Sequence, residues 1–129
     1  MFILQTQQKP ITWPVSVEVA MDGGKTQKFE FTGTFKRLSD DEREQLAAEI
    51  KDEAQATDEE AVGAWKVGAV DNILRIMTGW KGVVDTDKTP IEFTRENLLT
   101  AVRGPSGLSI LRGINAAISE INLGARTKN

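Results

Sequence analysis

The sequence predicts an α+β fold: an N-terminal antiparallel β-hairpin packed on a bundle of about four C-terminal helices. Three observations carry this. Two runs of residues alternate apolar with polar before residue 36, and a glycine pair separates them. From Ser39 onward, four helix-start signals each precede apolar residues at spacings of three and four. The two periods do not mix, so strands and helices occupy separate parts of the chain.

Met1 to Pro10 reads as a loose arm with a short extended piece at Phe2-Ile3-Leu4. Trp13, Val15, Val17, Val19 and Met21 then alternate with polar residues, as a half-buried strand does. Asp22-Gly23-Gly24-Lys25 is turn chemistry, because glycine takes positive φ without steric cost. Phe29, Phe31, Gly33 and Phe35 resume the alternation. A one-residue slip would flip one strand, so odd positions must face odd positions. Loops of three or five residues both satisfy this. The five-residue loop is preferred, since it sets Val19 by Phe29, Val17 by Phe31 and Trp13 by Phe35, and apolar cross-strand pairs stabilise by ~0.2–1 kcal/mol each. Pro14 marks the first strand as an edge.

Ser39-Asp40-Asp41-Glu42 is a capping box and opens a helix to about Ala54 or Gln55 with a thin seam of Leu46, Ala47, Ile50 and Ala54. Thr57-Asp58-Glu59-Glu60 is a second. The helix after it carries Val62, Trp65, Ala69, Val70, Ile73, Leu74, Ile76 and Met77, a broad apolar face that makes it the central helix, with Trp65 in the core. Gly79 is read as the residue just past its end. Thr94 starts a third helix, with Leu98, Leu99 and Val102 inward, and Gly104-Pro105 stops it. Ser106 caps the last helix. There Ile110, Leu111, Ile114, Ala117, Ile118 and Ile121 form one stripe, Arg112, Asn115, Ser119 and Glu120 lie off it, and Gly124 ends the pattern.

The 129 residues make one domain: arm and hairpin over 1–38, helical part over 39–129, and a disordered tail expected at 125–129. No apolar run is long enough to span a membrane, and Met1 to Lys9 lacks the pattern of a secretory signal, so the expected compartment is the cytoplasm. Cysteine, histidine and tyrosine are absent. That removes disulfides, thiolate nucleophiles, most structural zinc sites and the commonest general base. No catalytic residue, cofactor or metal is expected, and the chain is not read as an enzyme. Net charge is −8 between Ser39 and Glu60 and +2 and +3 on either side. The acidic block is either a solvated helix face or a patch that attracts a basic partner. Scattered basic residues with no stripe argue against nucleic acid.

Individual motifs read as architecture. Asp85-Thr86-Asp87 lacks the ligand spacing of a calcium loop and is a solvated turn. Asp40 and Asp41 complement a helix dipole. Ser106-Gly107 has no base to activate a serine, and Gly104-x-x-Gly107 is too short for a phosphate loop. The connection from Gly79 to Leu98 is unusually long for a compact domain, and Trp80, Val83, Val84, Ile91 and Phe93 give it apolar anchors. Trp80 is open to two roles, packing or partner recognition. The hairpin is a second candidate surface, through an open edge that could pair with a partner strand.

The span from Ile73 to Leu99 resembles the small tail assembly chaperones of long-tailed (lambda-like, siphovirus-type) bacteriophages. The match runs through Gly79-Trp80-Lys81-Gly82-Val83-x-Asp85 and Pro90-x-x-Phe93-Thr94-x-Glu96-Asn97-Leu98, about twenty residues. The order of hairpin, acidic helix, central helix, loop and C-terminal helices fits the rest. Lys88-Thr89 stands where the family often has an Asp-Gly-type turn. The resemblance implies a non-enzymatic helper in the host cell cytoplasm. Such chaperones bind the long, helical tape-measure protein and keep it soluble while tail tube protein polymerises around it. They are absent from the finished particle. Trp80, Lys81, Val83 and Phe93 are the expected partner-binding residues. The resemblance also implies a longer frameshifted form of the chain, and Thr127-Lys128-Asn129 is compatible with a slippery codon run. Weak self-association, as a homo-oligomer, is a further expectation. The alternative is a structural phage tail or head–tail joining component.

Overall fold

The computed structural model describes residues 1–2, 9–56 and 64–124, without the side chains of 49–56 and 64. A three-stranded antiparallel sheet in the order β1-β2-β3 and four helices make an α+β architecture. The elements are β1 (Ile11–Met21), β2 (Lys25–Phe35), α1 (Asp40–Ala56), α2 (Ala64–Leu74), β3 (Met77–Lys81), α3 (Arg95–Arg103) and α4 (Gly107–Leu123).

The hairpin forms as its alternation predicts, with Pro14 on the edge strand β1. Its register differs from the preferred one by two residues. The loop is the three-residue Asp22–Gly24, so Val17 faces Phe29, Val15 faces Phe31 and Trp13 faces Gly33. Both loop lengths keep odd residues opposite odd ones. The shorter closes because Gly23 and Gly24 take φ of 79° and 76°, where a side chain would be strained. Gly33 then lies between two tryptophans, Trp13 on β1 and Trp80 on β3.

The third strand corrects the sequence reading most. The sequence pattern places Ile76 and Met77 on the central helix and Gly79 just past its end. Instead α2 ends at Leu74, the amides of Arg75 and Ile76 donate to the carbonyls of Asn72 and Ile73, and β3 begins at Met77. The stretch expected to be helical therefore contains a strand. β2 has a second edge whose backbone groups need partners, and β3 supplies them from Thr32↔Lys81 to Phe35↔Met77, with a bulge between Thr34 and Phe35. The Lys36 amide extends the pairing to the Ile76 carbonyl at 2.7 Å.

One face of the sheet meets the helices. Val15, Val17 and Phe35 from the hairpin close over Val70 and Ile73 of α2, Met77 of β3, Leu98 and Val102 of α3, and Leu111, Ile114 and Ala117 of α4. Each large side chain buried here favours folding by roughly 1.5–3 kcal/mol before entropy is counted. α4 crosses β1 so closely that a Cβ on Gly113 would collide with the Ser16 carbonyl. Trp65 was expected in the core but is 52% exposed. Lys66, Val70 and Ile73 follow the i, i+4, i+7 line instead, and Lys66 satisfies its ammonium on the Val102 carbonyl at 3.0 Å. Glu120 was placed off the α4 stripe yet is only 8% exposed, because Trp13 donates to it.

The helix signals are built as read in two cases. Ser39 Oγ accepts from the Glu42 amide while Glu42 Oε1 accepts from the Ser39 amide, a reciprocal capping box. Thr94 Oγ1 accepts from the Asn97 amide at 3.1 Å. Ser106 occupies the N-cap position of α4 without a side-chain hydrogen bond, which corrects its capping role. Gly124 ends α4 in the left-handed region, its amide donating to the carbonyls of Glu120 and Ile121. Ile3, Leu4, the Thr57–Glu60 capping box, Val62 and residues 125–129 lie outside the described residues, as do the side chains of Ile50 and Ala54.

Candidate partner-binding surface

Trp80 is a keystone between the sheet and the long connection. It meets Phe31 edge-on at a 6.0 Å centroid separation and Phe93 at 5.0 Å. Its indole N–H donates to the Ile91 carbonyl at 2.7 Å. β3 delivers Trp80 to this place, and the approach to the Thr94 N-cap delivers Phe93. Both aromatics are half-buried. The sequence therefore brings Trp80 and Phe93 together, and most of their surface goes to internal packing. Lys81 is exposed at the end of β3, and Val83 is half-buried just beyond it. Phe31 completes the cluster. Its place at the level of β3 could be found only once β3 was known.

The loop folds back on itself. Gly82 turns the chain with φ of 88° beside Phe31. Ile91 then donates its amide to the Val83 carbonyl at 2.9 Å, and Val84 bridges Pro90. Asp85 Oδ1 accepts from the amides of Asp87 and Thr89 at 2.9 and 3.0 Å, so its carboxylate shapes the turn. Lys88 sits at φ of 63°, the conformation a glycine would take most easily in such a turn.

A second surface lies at the opposite end of β3. Leu38, just before α1, and Leu46 and Ala47 within it face Ile76, Ile118 and Ile121 across a groove of about 190 Å³ floored by Phe35. Leu111, Ile114 and Ala117 of the α4 stripe are core, Ile110 is half-buried at its start, and Ile118 and Ile121 stay half-buried at this groove. Among the described residues, Lys36 and Arg43 are the charged ones that line it. A wider concavity of about 510 Å³ lies between the hairpin and α4, but Glu18, Lys28, Arg112 and Glu120 give it mixed charge. Toward the hairpin tip, Met21 is 46% and Phe29 48% exposed, on the face that Lys25 and Gln27 also share. β3 covers β2 only from Thr32 onward, and α4 closes on β1 at Ser16.

The titratable groups serve architecture. The Arg95 guanidinium donates from Nε to Asp71 Oδ1 at 2.8 Å and from Nη2 to Oδ2 at 3.3 Å, which clamps α3 to α2. These bonds and the charge of Arg95 hold the Asp71 carboxyl below the usual aspartate range. The backbone and hydroxyl bonds from Ser39 lower Glu42 in the same way. Among the described residues, no group of three or more aspartates and glutamates is placed to hold a metal ion. No described helix is long and apolar enough to cross a membrane.

Residues 1–129, the whole chain, match the model of a protein family described as phage tail assembly chaperone. No curated protein and no solved structure matches the chain significantly.

Proposed function

The chain belongs to the phage tail assembly chaperone family, and from that premise we propose that it binds the tape-measure protein in the host cytoplasm and leaves before the particle is complete. The observation that carries this reading is unfilled apolar surface on a well-packed domain. Ile76, Ile118, Ile121, Leu38 and Leu46 line an open groove, while Phe29 and Met21 stand half exposed at the hairpin tip. A long apolar helical client needs such surface as a temporary substitute for its eventual partners. The acidic exposed start of α1, with Asp40, Asp41 and Glu42 in its first turn, favours solubility of the loaded complex.

The residues expected at the contact take two roles in this proposal. Trp80 and Phe93 form the brace, and Lys81 and Val83 are what the brace presents. The tail tube protein, a longer frameshifted form and a second copy are further partners on the same reading. No step of the proposed function makes or breaks a covalent bond.

Co-expression tests it. The tape-measure protein should stay in the soluble fraction only when this chain is present, and the two should co-purify. Mass spectrometry of purified virions should find the tape-measure protein and not this chain. A tape-measure protein equally soluble alone, or this chain present in virions at the stoichiometry of a tail component, would overturn the proposal in favour of a structural tail or joining role.

A further inference from the structure

We propose that the groove between α1 and α4 receives a client helix presenting one large apolar side chain with a carboxylate beside it, a contact that rests on the tape-measure reading above. An apolar cavity of ~150 Å³ holds a benzene-sized group, so the 190 Å³ here suits one aromatic or branched aliphatic side chain. The walls are apolar from both helices, and among the described residues the charges that line the groove are cationic, Lys36 and Arg43.

Arg43 makes the preference sharper. Its Nη2 donates to Asp40 at 2.7 Å, while its Nε–H is shielded from solvent with no acceptor among the described residues. The Arg43 side chain is 41% exposed, so a carboxylate docking beside it would gain a charge-assisted bond to the open part of the guanidinium. Among the described residues, Asp40 holds Nη2 and Glu42 holds the Ser39 amide. A carboxylate carried by the occupant would therefore add an acceptor for Arg43. Lys36, on the same rim, adds a second attraction for it.

The groove begins where β3 begins. Ile76 both lines it and accepts the Lys36 amide, and Lys81 stands at the other end of the same strand. Five strand residues at ~3.3 Å each separate Ile76 from Lys81, which is about three turns of a helix, so one client helix of three or more further turns could engage the groove and also reach Lys81.

Overlapping peptides that tile the tape-measure protein of the same phage test this by titration calorimetry. The variants are Ile121→Asp, which puts a charge in the groove, Arg43→Gln, which removes the cation from an exposed helix, and Leu108→Ser, at an exposed position in the first turn of α4 outside the groove lining. The wild-type chain and Leu108→Ser should bind the same peptides. Ile121→Asp should weaken them about tenfold or more. Arg43→Gln should weaken about tenfold those peptides with an acid next to an apolar anchor. That loss should vanish when the peptide's acid is replaced by its amide. If Ile121→Asp fails to fold by circular dichroism, Arg43→Gln with the amide peptide decides alone. Tight peptide binding unchanged in both groove variants overturns the groove and leaves the tape-measure reading standing. Failure of the wild-type chain to bind any peptide overturns both. Groove variants that lose self-association yet keep peptide binding make a second copy the occupant, which also overturns the proposal.

Discussion

Trp13 on the first strand donates its indole N–H to Glu120 Oε1 on the last helix at 3.1 Å, across 107 residues of chain. The bond explains why a carboxylate sits nearly buried on α4 and why α4 lies along β1. Trp13→Phe keeps the ring and removes the donor. It should destabilise the protein by about 1–3 kcal/mol in urea unfolding. A double-mutant cycle with Glu120→Ala should return a coupling of at least about 0.5 kcal/mol, since residues in direct contact are not additive. Strict additivity would mean that the pair is incidental.

Trp80 tests the brace. Trp80→Phe retains an aromatic ring between Phe31 and Phe93 but cannot donate to the Ile91 carbonyl. The expected loss is about 0.5–1.5 kcal/mol of global stability. The local effect should be larger: the Ile91 amide, bonded to Val83, should exchange with deuterium much faster than in the wild type. Exchange at Ile91 that stays unchanged would show that the indole bond does not hold the loop.

The sequence discloses what is local here and hides what is not. The hairpin alternation, the Ser39 capping box, the Thr94 cap and the Gly124 stop are short-range chemistry, and all are built. The end of α2 was misread because Ile76 and Met77 extend the helical spacing of Val70 and Ile73 by chance. The counter-signal was present: Thr78 and Trp80 favour strands, and Gly79 weakens a helix. What settles the competition is the vacant edge of β2, which no local window contains. The hairpin register failed for a different reason. Three- and five-residue loops keep the same faces buried, so patterning alone cannot separate them. The inward turn of Lys66 and the burial of Glu120 depend on the Val102 carbonyl and the Trp13 indole, partners 36 and 107 residues away. The groove needs the end of β2, the start of α1, Ile76 before β3 and the end of α4 together, so no single segment announces it.

Two helical glycines should answer the same substitution with opposite signs. Gly113 lies against the Ser16 carbonyl, where an added methyl must push β1 and α4 apart. Gly113→Ala should cost about 1–3 kcal/mol, as overpacking does. Gly68, in the middle of α2, has open space where its Cβ would go. Gly68→Ala should stabilise by up to about 1 kcal/mol through helix propensity. Thermal unfolding of both variants checks the contrast. A neutral Gly113→Ala would mean that the α4–β1 approach is looser than described.

Acid should weaken the clamp between α2 and α3 in a defined window. Asp71 is held below its ordinary range by the Arg95 hydrogen bonds first and the Arg95 charge second. A depressed carboxyl binds fewer protons in the folded state than in the unfolded chain. Its stabilising contribution is therefore whole above the unfolded aspartate pKa of about 3.9 and is lost as pH falls through the lower folded value. Glu42, lowered by its bonds from Ser39, follows the same sign. Both groups are well exposed, so solvent screening keeps each effect small. Between pH 7 and about 5, the difference in Tm between the wild type and Asp71→Asn should stay constant, with the variant the less stable. Below about pH 4 the gap should narrow. A gap that widens on acidification would mean that the folded Asp71 carboxyl is raised, and that Arg95 does not hold it as described.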